Sequence, residues 1–235
     1  MNSKQLTVNS SQFTVSVIIP TLNEAHTIKD ALISVGHGGE LIVVDAGSHD
    51  STIKIASRFT EKIILSERGR GGQMDRGARE AKGDVLLFLH ADTKLPEDWK
   101  NQVAGVLKDD EVIGGGFRLK IDSRKICFRI MKEIINWRSK HLGLIYGDQA
   151  IFARRDAFFA VGGFMGLPLM EDVDLIKRLK SKGKVVLLGA NVSTSSRHWE
   201  KKGILMTTLR NWTFLGLYYL GVSPEKLYKR YYAVR

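Results

Sequence analysis

Short apolar runs alternate with amphipathic segments along the first hundred residues. Four runs are continuous enough to be buried strands: VSVIIP (15–20), ELIVVD (40–45), KIILS (62–66) and DVLLFLH (84–90). The segments between them have helical spacing, at 24–35, 50–59 and 73–82, and a further helix is expected behind Pro96. Strands that are apolar throughout are typical of a parallel sheet covered by helices on both faces. The pattern therefore predicts an α/β fold with a mostly parallel central sheet flanked by helices.

The second half of the chain is less regular. It predicts strands at 112–121 and 184–189 and within 149–155, and helices at 125–143 and 171–183. After Gly203 the spacing is that of an amphipathic helix that breaks near Pro224. We therefore divide the chain into a loose tail (1–14), a catalytic domain (15–203) and a C-terminal helical segment (204–235).

Polar residues follow each predicted strand of the first half. They are Thr21, Asn23 and Glu24 after the first strand, Asp45 at the end of the second, Arg70 after the third, and His90 and Asp92 after the fourth. Right-handed crossovers bring the carboxyl ends of parallel strands to one edge, where open α/β sheets bind ligands. Helix capping explains a single such residue. Four occurrences in register favour a ligand site at this edge.

The net charge of +11 favours anionic partners, whether nucleic acid, phosphorylated metabolites or an acidic membrane face. Charge alone does not choose among them. No G-x-G-x-x-G follows the first strand, and no G-K-S/T follows the run RGRGG at 68–72. The sequence therefore gives little support to a nicotinamide site and excludes a P-loop.

Four segments resemble the family 2 glycosyltransferases, which have the GT-A fold: VSVIIPTLNE, ELIVVDAGSHDST, GDVLLFLHADT and MEDVDL. Three others resemble a bacterial subgroup of radical-SAM/selenodomain-associated transferases: GRGGQMDRGAREAKGDVLLFLHADT, GDQAIFARRDAF and WEKKGILMTTLRNW. The resemblance covers about residues 15–232. It implies an inverting hexosyltransferase that uses a UDP- or GDP-linked sugar, a divalent cation (Mg²⁺ or Mn²⁺) and an acceptor that the sequence does not identify.

The resemblance assigns the donor nucleotide to one group of residues: Pro20, Thr21, Asn23, Glu24, Asp45, Arg70, Gln73, Asp75, His90 and Ala91. Asp45 is expected to read the base. Asp92 is expected to hold the metal and diphosphate, with His198 as a second candidate ligand. His90 stands where the family's D-x-D motif begins with an acid, and Asp75 stands where Asn is expected. An acid near a diphosphate is unfavourable unless it is paired, here with Arg70 or Arg76.

The resemblance places the acidic pair Glu171 and Asp172 at the acceptor. An acceptor hydroxyl is a poor nucleophile, so a positioned carboxylate is needed to remove its proton. We predict Asp172 as this base, with Glu171 orienting the acceptor or a nearby cation. A charged first helical turn would equally explain the run EDVD. Contacts to the acceptor or the sugar are predicted for five further residues: Gly147, Asp148, Gln149, Arg197 and Trp199.

Two other functions stay open. A nucleotidyltransferase shares the parallel sheet and the metal-binding carboxylates, but it does not call for a base on a second segment such as Asp172. A non-catalytic nucleic-acid-binding module would explain the charge. The sequence carries no recognised motif for that role, so no nucleic-acid partner is predicted.

The C-terminal segment 204–235 interleaves aromatic and basic residues. This composition fits peripheral contact with an anionic membrane, packing on the catalytic domain, or a homodimer seam. The first fourteen residues lack an apolar leader. The single cysteine, Cys127, is expected near the core and fits a reducing compartment. The predicted location is the cytoplasm, with association with the inner face of the membrane as an option.

Overall fold

The computed structural model describes residues 13–123, 125–195 and 204–233. Its strands are β1 (Val15–Thr21), β2 (Glu40–Asp45), β3 (Ile63–Leu65), β4 (Val85–Phe88), β5 (Thr93–Lys94), β6 (Val112–Asp122), β7 (Phe152–Arg154) and β8 (Lys184–Ser195). Its helices are α1 (Ile28–Val35), α2 (Thr52–Ala56), α3 (Arg70–Glu80), α4 (Trp99–Val106), α5 (Ile126–Leu142), α6 (Arg155–Ala160), α7 (Glu171–Lys180), α8 (Ile204–Tyr219) and α9 (Pro224–Ala233), with a 3₁₀ turn at Gly147–Gln149.

The first half forms the predicted parallel sheet. Strand β1 pairs in parallel with β2 on one side and with β4 on the other, and β3 adds to β2. All seven residues of β1 are buried because helices cover both faces, which is why the strand reads as a continuous apolar run. The prediction of an α/β fold with a flanked central sheet is confirmed.

The second half extends the same sheet with mixed strand directions. The full order is β3-β2-β1-β4-β7-β6-β8-β5. Strand β7 is antiparallel to both of its neighbours, β4 and β6, whereas β6 and β8 run parallel to each other. The short β7 thus joins the parallel first half to the long β6–β8 pair. It also brings the 3₁₀ turn just before it to the edge where β1 and β4 end.

Most predicted elements are present with shifted ends. Helix α3 begins at Arg70, inside the glycine-rich run, rather than at residue 73. Strand β8 continues to Ser195, six residues beyond the predicted end. The expectation that Cys127 lies near the core is wrong, because its side chain is exposed on α5.

The C-terminal helices pack against the rest of the protein. Phe214 and Leu227 are buried, and the Tyr218 hydroxyl lies 3.4 Å from a carboxylate oxygen of Asp174 on α7. Thr208 on α8 contacts the sulfur of Met131 on α5. Of the three options for this segment, packing on the domain is the one that these contacts show. Within the described ranges, no helix is long and apolar enough to cross a membrane.

Candidate active site

The loops after β1 and β2 form a closed hydrogen-bonded unit, which we call the β1–β2 cradle (21–25, 45–52 and Gln73). At its centre lies Asp45, which is fully buried. One carboxylate oxygen accepts from the hydroxyls of Thr21 (2.9 Å) and Ser48, and the other accepts from the backbone N–H groups of Gly47 and Ser48. Asp45 therefore organises the loop that follows β2, and its predicted contact with a base stays a prediction.

Three residues of the predicted nucleotide site hold the cradle together. Asn23 has a left-handed backbone (φ 56°), and its side-chain oxygen accepts from the His49 N–H. Gln73, buried on α3, donates to the carbonyls of Thr21 and Val44. Glu24 donates its backbone N–H to the Thr52 hydroxyl. These bonds hold the ends of β1 and β2 and the first turns of α3 in one arrangement.

Asp75 points away from the cradle. Its carboxylate pairs with Arg79 one helical turn later (2.9 Å), and its other oxygen accepts from the Phe164 backbone N–H (3.2 Å). The expectation of a pair with Arg70 or Arg76 is therefore wrong. The i,i+4 spacing on α3 explains Arg79 as the partner. The acid thus anchors the loop before α7 to α3.

Gly147 lies between His90 and Asp172. Its backbone N–H donates to an Asp172 carboxylate oxygen at 2.7 Å. A Cβ atom on Gly147 would come within 2.7 Å of His90 Nε2 and within 3.4 Å of the same Asp172 oxygen. A side chain at this position would therefore displace the His90 ring, whereas its distance from Asp172 would be an ordinary contact. His90, two residues after β4, and Asp172, the second residue of α7, are distant in sequence but lie on either side of this glycine.

Asp148 lies close to other acidic residues of the site. Its Oδ1 is buried, with no hydrogen-bond partner within the described ranges. Burial, together with the charges of Asp172 and Asp92, raises the pKa of Asp148 to about 6, although the charges of Arg138 and Arg70 act in the opposite direction. Asp92 and Asp172 both lie near enough to Asp148 for their charges to act on it. That the two residues form one metal and acceptor site stays a prediction.

Glu171 and Asp172 sit in different environments although they are neighbours. The side chain of Glu171 packs against Gly71 on α3. Burial and the Asp172 charge raise the pKa of Glu171 to about 7, with Arg70 opposing the rise. At neutral pH Glu171 thus carries a proton for much of the time and is then unable to accept one.

Arg138 and Tyr146 belong to the site, and the sequence analysis missed both. Arg138, on α5, is only 8% exposed and lies 3.7 Å over the Tyr146 ring. Its Nε and Nη2 atoms, like the Tyr146 hydroxyl, are buried without a hydrogen-bond partner in the part of the chain that the structure describes. We call five residues the buried polar cluster. Four have buried polar atoms without a partner within the described ranges, namely His90, Arg138, Tyr146 and Asp148. The fifth is Asp172, whose charge acts on Asp148.

The remaining predicted residues take other positions. Gln149 is fully buried, donates to the Phe117 carbonyl and accepts from the Ser139 hydroxyl, so its side chain braces the 3₁₀ turn. Pro20 and Ala91 are buried next to the cradle and the cluster, respectively. Arg197, His198 and Trp199 lie outside the described residues.

The described residues fit a hard divalent cation in part. Within the cluster, burial and the charge of Arg70 hold the pKa of His90 well below its usual range, so its ring is neutral and Nε2 is unpartnered. Within the described ranges, the Asp92 carboxylate accepts one side-chain hydrogen bond, from the Thr93 hydroxyl at 3.3 Å, which leaves oxygen lone pairs for a cation. No group of three or more His, Cys, Asp or Glu side chains gathers within the described ranges. Mg²⁺ and Mn²⁺ need only one or two carboxylates when substrate phosphates complete the shell.

The curled, mixed α/β sheet flanked by helices is a GT-A fold. The profile described as Glycosyl transferase family 2 matches residues 16–167, which is more than half of the chain. The protein belongs to this family. The resemblance to a narrower radical-SAM-associated subgroup stays a prediction.

Individual relatives agree with the family assignment. A dolichol-phosphate mannosyltransferase of Pyrococcus furiosus is 28% identical over 68% of this chain and 48% of its own. A PGL/p-HBAD biosynthesis glycosyltransferase of Mycobacterium tuberculosis is 38% identical over 63% of this chain and 62% of its own. The chain thus spans about half to three fifths of the length of these curated relatives.

A solved structure shares the fold. The mannosyltransferase PcManGT of Pyrobaculum calidifontis, in complex with GDP-Man and Mn²⁺, superposes with a TM-score of 0.61. The match covers 77% of this chain and 56% of that one at 21% identity. At this identity the likeness concerns the fold alone.

Proposed function

We propose that the protein is an inverting glycosyltransferase that moves a sugar from a nucleoside-diphosphate sugar to an acceptor oxygen. The observation that carries the proposal is the position of Asp172. Its carboxylate is fixed by the Gly147 N–H and lies across that glycine from His90, beside Asp148. Family membership and a relative of the same fold in complex with GDP-Man and Mn²⁺ support it.

Asp172 would act as the base. As the acceptor hydroxyl oxygen bonds to the anomeric carbon, its proton passes to the Asp172 carboxylate. The bond from that carbon to the diphosphate oxygen breaks on the opposite face, and its electron pair leaves with the nucleoside diphosphate. Attack from that opposite face inverts the anomeric centre. Glu171, with its raised pKa, would donate a hydrogen bond to the acceptor rather than compete for its proton.

The leaving diphosphate needs positive charge. Arg70, at the first turn of α3, is exposed and close enough to shift the pKa values of His90, Asp148 and Glu171. Asp92 and the neutral His90 would hold a divalent cation, which supplies charge neutralisation for the departing phosphates. His198, the other predicted ligand, lies outside the described residues.

A nucleotide screen tests the proposal. We expect UDP or GDP with Mn²⁺ to raise the melting temperature, since ligand at about 100 times its Kd stabilises a fold by about 2.7 kcal/mol. Replacing Mn²⁺ by EDTA should remove most of this gain. The matching nucleotide sugar should then be turned over with inversion, as read by NMR of the product anomer.

Two results would contradict the proposal. If no nucleoside diphosphate stabilised the protein with either cation, the donor assignment would be wrong. If nucleoside triphosphates bound instead, and pyrophosphate were released in the presence of a sugar phosphate, the protein would be a nucleotidyltransferase.

A further inference from the structure

An apolar groove runs between α5 and α8 and ends at the buried polar cluster. It encloses about 370 Å³, which lies in the range of ~300–1,000 Å³ usual for small-molecule sites. Its walls include Ile130, Met131 and Ile134 of α5 and Trp212 and Leu215 of α8. Arg138, Tyr146 and Asp148 also line it, so the groove opens directly onto the cluster.

The mouth of the groove is apolar as well. Ile130, Ile134 and Trp212 are 59%, 43% and 51% exposed. On α5 the exposed side chains Ile126, Ile130 and Ile134 are spaced four residues apart, so they form a stripe along the helix. An exposed apolar stripe beside an apolar groove fits a hydrocarbon chain that enters from the surface.

Arg138 gives the inner end of the groove a specific chemistry. Nε and Nη2 lie on one edge of the guanidinium group, and both are buried and unpartnered within the described ranges. These two donors form the fork that binds phosphate through two parallel hydrogen bonds. Asp148 is near enough for the Arg138 charge to oppose the rise in its pKa, but the two form no ion pair in the structure as described.

We propose that this groove binds an amphiphilic acceptor, with its hydrocarbon chain between α5 and α8 and its phosphate head on the Arg138 fork. A buried cation needs an anionic partner, and the phosphate supplies it at the apolar end of the site. The head then lies beside Asp148 and Asp172, and the oxygen that takes the sugar is a hydroxyl of the head group, whose proton passes to Asp172. This assignment of the acceptor class rests on the proposed function, whereas binding of the amphiphile does not.

Dodecyl phosphate, below its micelle concentration, is the probe. Calorimetry should show it binding at least about 10-fold more tightly than inorganic phosphate, which lacks the chain, or dodecyltrimethylammonium, which has the opposite charge. Ile134→Trp should fill the groove and weaken binding about 10-fold or more. The matched control is Ile33→Trp, because Ile33 is similarly exposed (55%) on α1, and it should bind like the wild type.

Arg138→Lys tests the head group, since lysine keeps the charge but loses the fork. It should weaken dodecyl phosphate about 10-fold while dodecyltrimethylammonium stays unchanged. If that buried substitution prevents folding, Ile134→Trp on the surface still decides the matter. Equal affinity for the three probes, or no effect of Ile134→Trp, would overturn the proposal. So would a dimer that dissociates in Ile134→Trp without any binding of dodecyl phosphate, since the groove would then be a contact between two copies.

Nucleotide binding on the same samples separates the two proposals. If UDP or GDP binds and dodecyl phosphate does not, only the groove proposal is wrong. If dodecyl phosphate binds and no nucleotide does, the groove remains an amphiphile site but its ligand is not a sugar acceptor.

Discussion

The β1–β2 cradle and the buried polar cluster differ in whether their buried polar atoms are hydrogen-bonded. In the cradle, Asp45 accepts four hydrogen bonds, and the Gln73 amide donates to two backbone carbonyls. In the cluster, atoms of His90, Arg138 and Asp148 are buried without a partner in the described part of the chain. A buried polar group left unpaired costs about 1–3 kcal/mol. The cradle is therefore complete by itself, whereas a ligand is needed to complete the cluster.

This contrast separates residues that shape the site from residues that act in it. Substitutions in the cradle should mainly change the free energy of unfolding. Substitutions in the cluster should change the rate of sugar transfer and the affinity for ligands. Some should also stabilise the protein, because they remove a buried polar group that has no hydrogen-bond partner. Three substitutions test the distinction.

Asp172→Asn should have the largest effect. Asparagine keeps an oxygen to accept from the Gly147 N–H (2.7 Å in the native protein) but cannot take up the acceptor proton. We expect sugar transfer to fall by about 10²–10⁴-fold. Nucleotide binding, read by the shift in melting temperature, should be nearly unchanged.

Asp174→Asn is the matched control for Asp172→Asn. Asp174 lies on the same helix and pairs with Arg178 at 2.7 Å, away from the cluster. It should cost some stability but keep transfer within a few-fold of the wild type. Native turnover by Asp172→Asn would show that the base lies elsewhere and that the cluster serves binding only.

The two regions also differ in how far the sequence predicted them. The cradle follows from local patterns, because β1 and β2 are continuous apolar runs and their polar ends fall in register. Asp92 and Asp172 were found because motifs of the family mark them. Arg138 was not found, since an arginine within an amphipathic helix pattern is normally assigned to the solvent face. Nothing local shows that α8 covers this part of α5.

Other differences have the same origin in tertiary structure. The sequence predicts a strand within 149–155 but not that β7 would insert antiparallel between β4 and β6. Asp75 was expected to pair with Arg70 or Arg76, yet it pairs with Arg79 and accepts a hydrogen bond from the Phe164 N–H. Both depend on how distant segments meet, which single-sequence patterns do not encode.

Thr21→Val tests the cradle and should have the next largest effect. The Thr21 hydroxyl is buried and donates to Asp45 at 2.9 Å, and valine has nearly the same shape without the donor. We expect a loss of about 1–3 kcal/mol in the free energy of unfolding by urea, because a buried carboxylate loses a hydrogen bond.

Thr213→Val is the control for Thr21→Val, because Thr213 on α8 is exposed and, among the residues that the structure describes, its hydroxyl bonds only to the Leu209 carbonyl one turn earlier. It should change stability by no more than about 0.5 kcal/mol. Equal effects of the two substitutions would mean that the hydrogen bonds around Asp45 contribute little to stability. The cradle would then take its arrangement only when a ligand binds.

Asp148→Asn should have the smallest effect and the opposite sign. The folded protein raises the pKa of Asp148 from 3.8 to about 6, so the folded state binds more protons than the unfolded state between these values. This group's contribution to stability therefore falls as the pH rises from about 4 to about 7.

At pH 8 in EDTA, Asp148→Asn should be about 1–2 kcal/mol more stable than the wild type. This is less than the ~3 kcal/mol that corresponds to the full pKa shift, because Asp148 keeps a partly exposed edge. The difference should shrink below pH 4, and Asp110→Asn, at a fully exposed carboxylate, is the control for a surface substitution. A pH-independent effect of Asp148→Asn would mean that Arg138 already neutralises this acid, and the cluster would then be internally paired, as the cradle is.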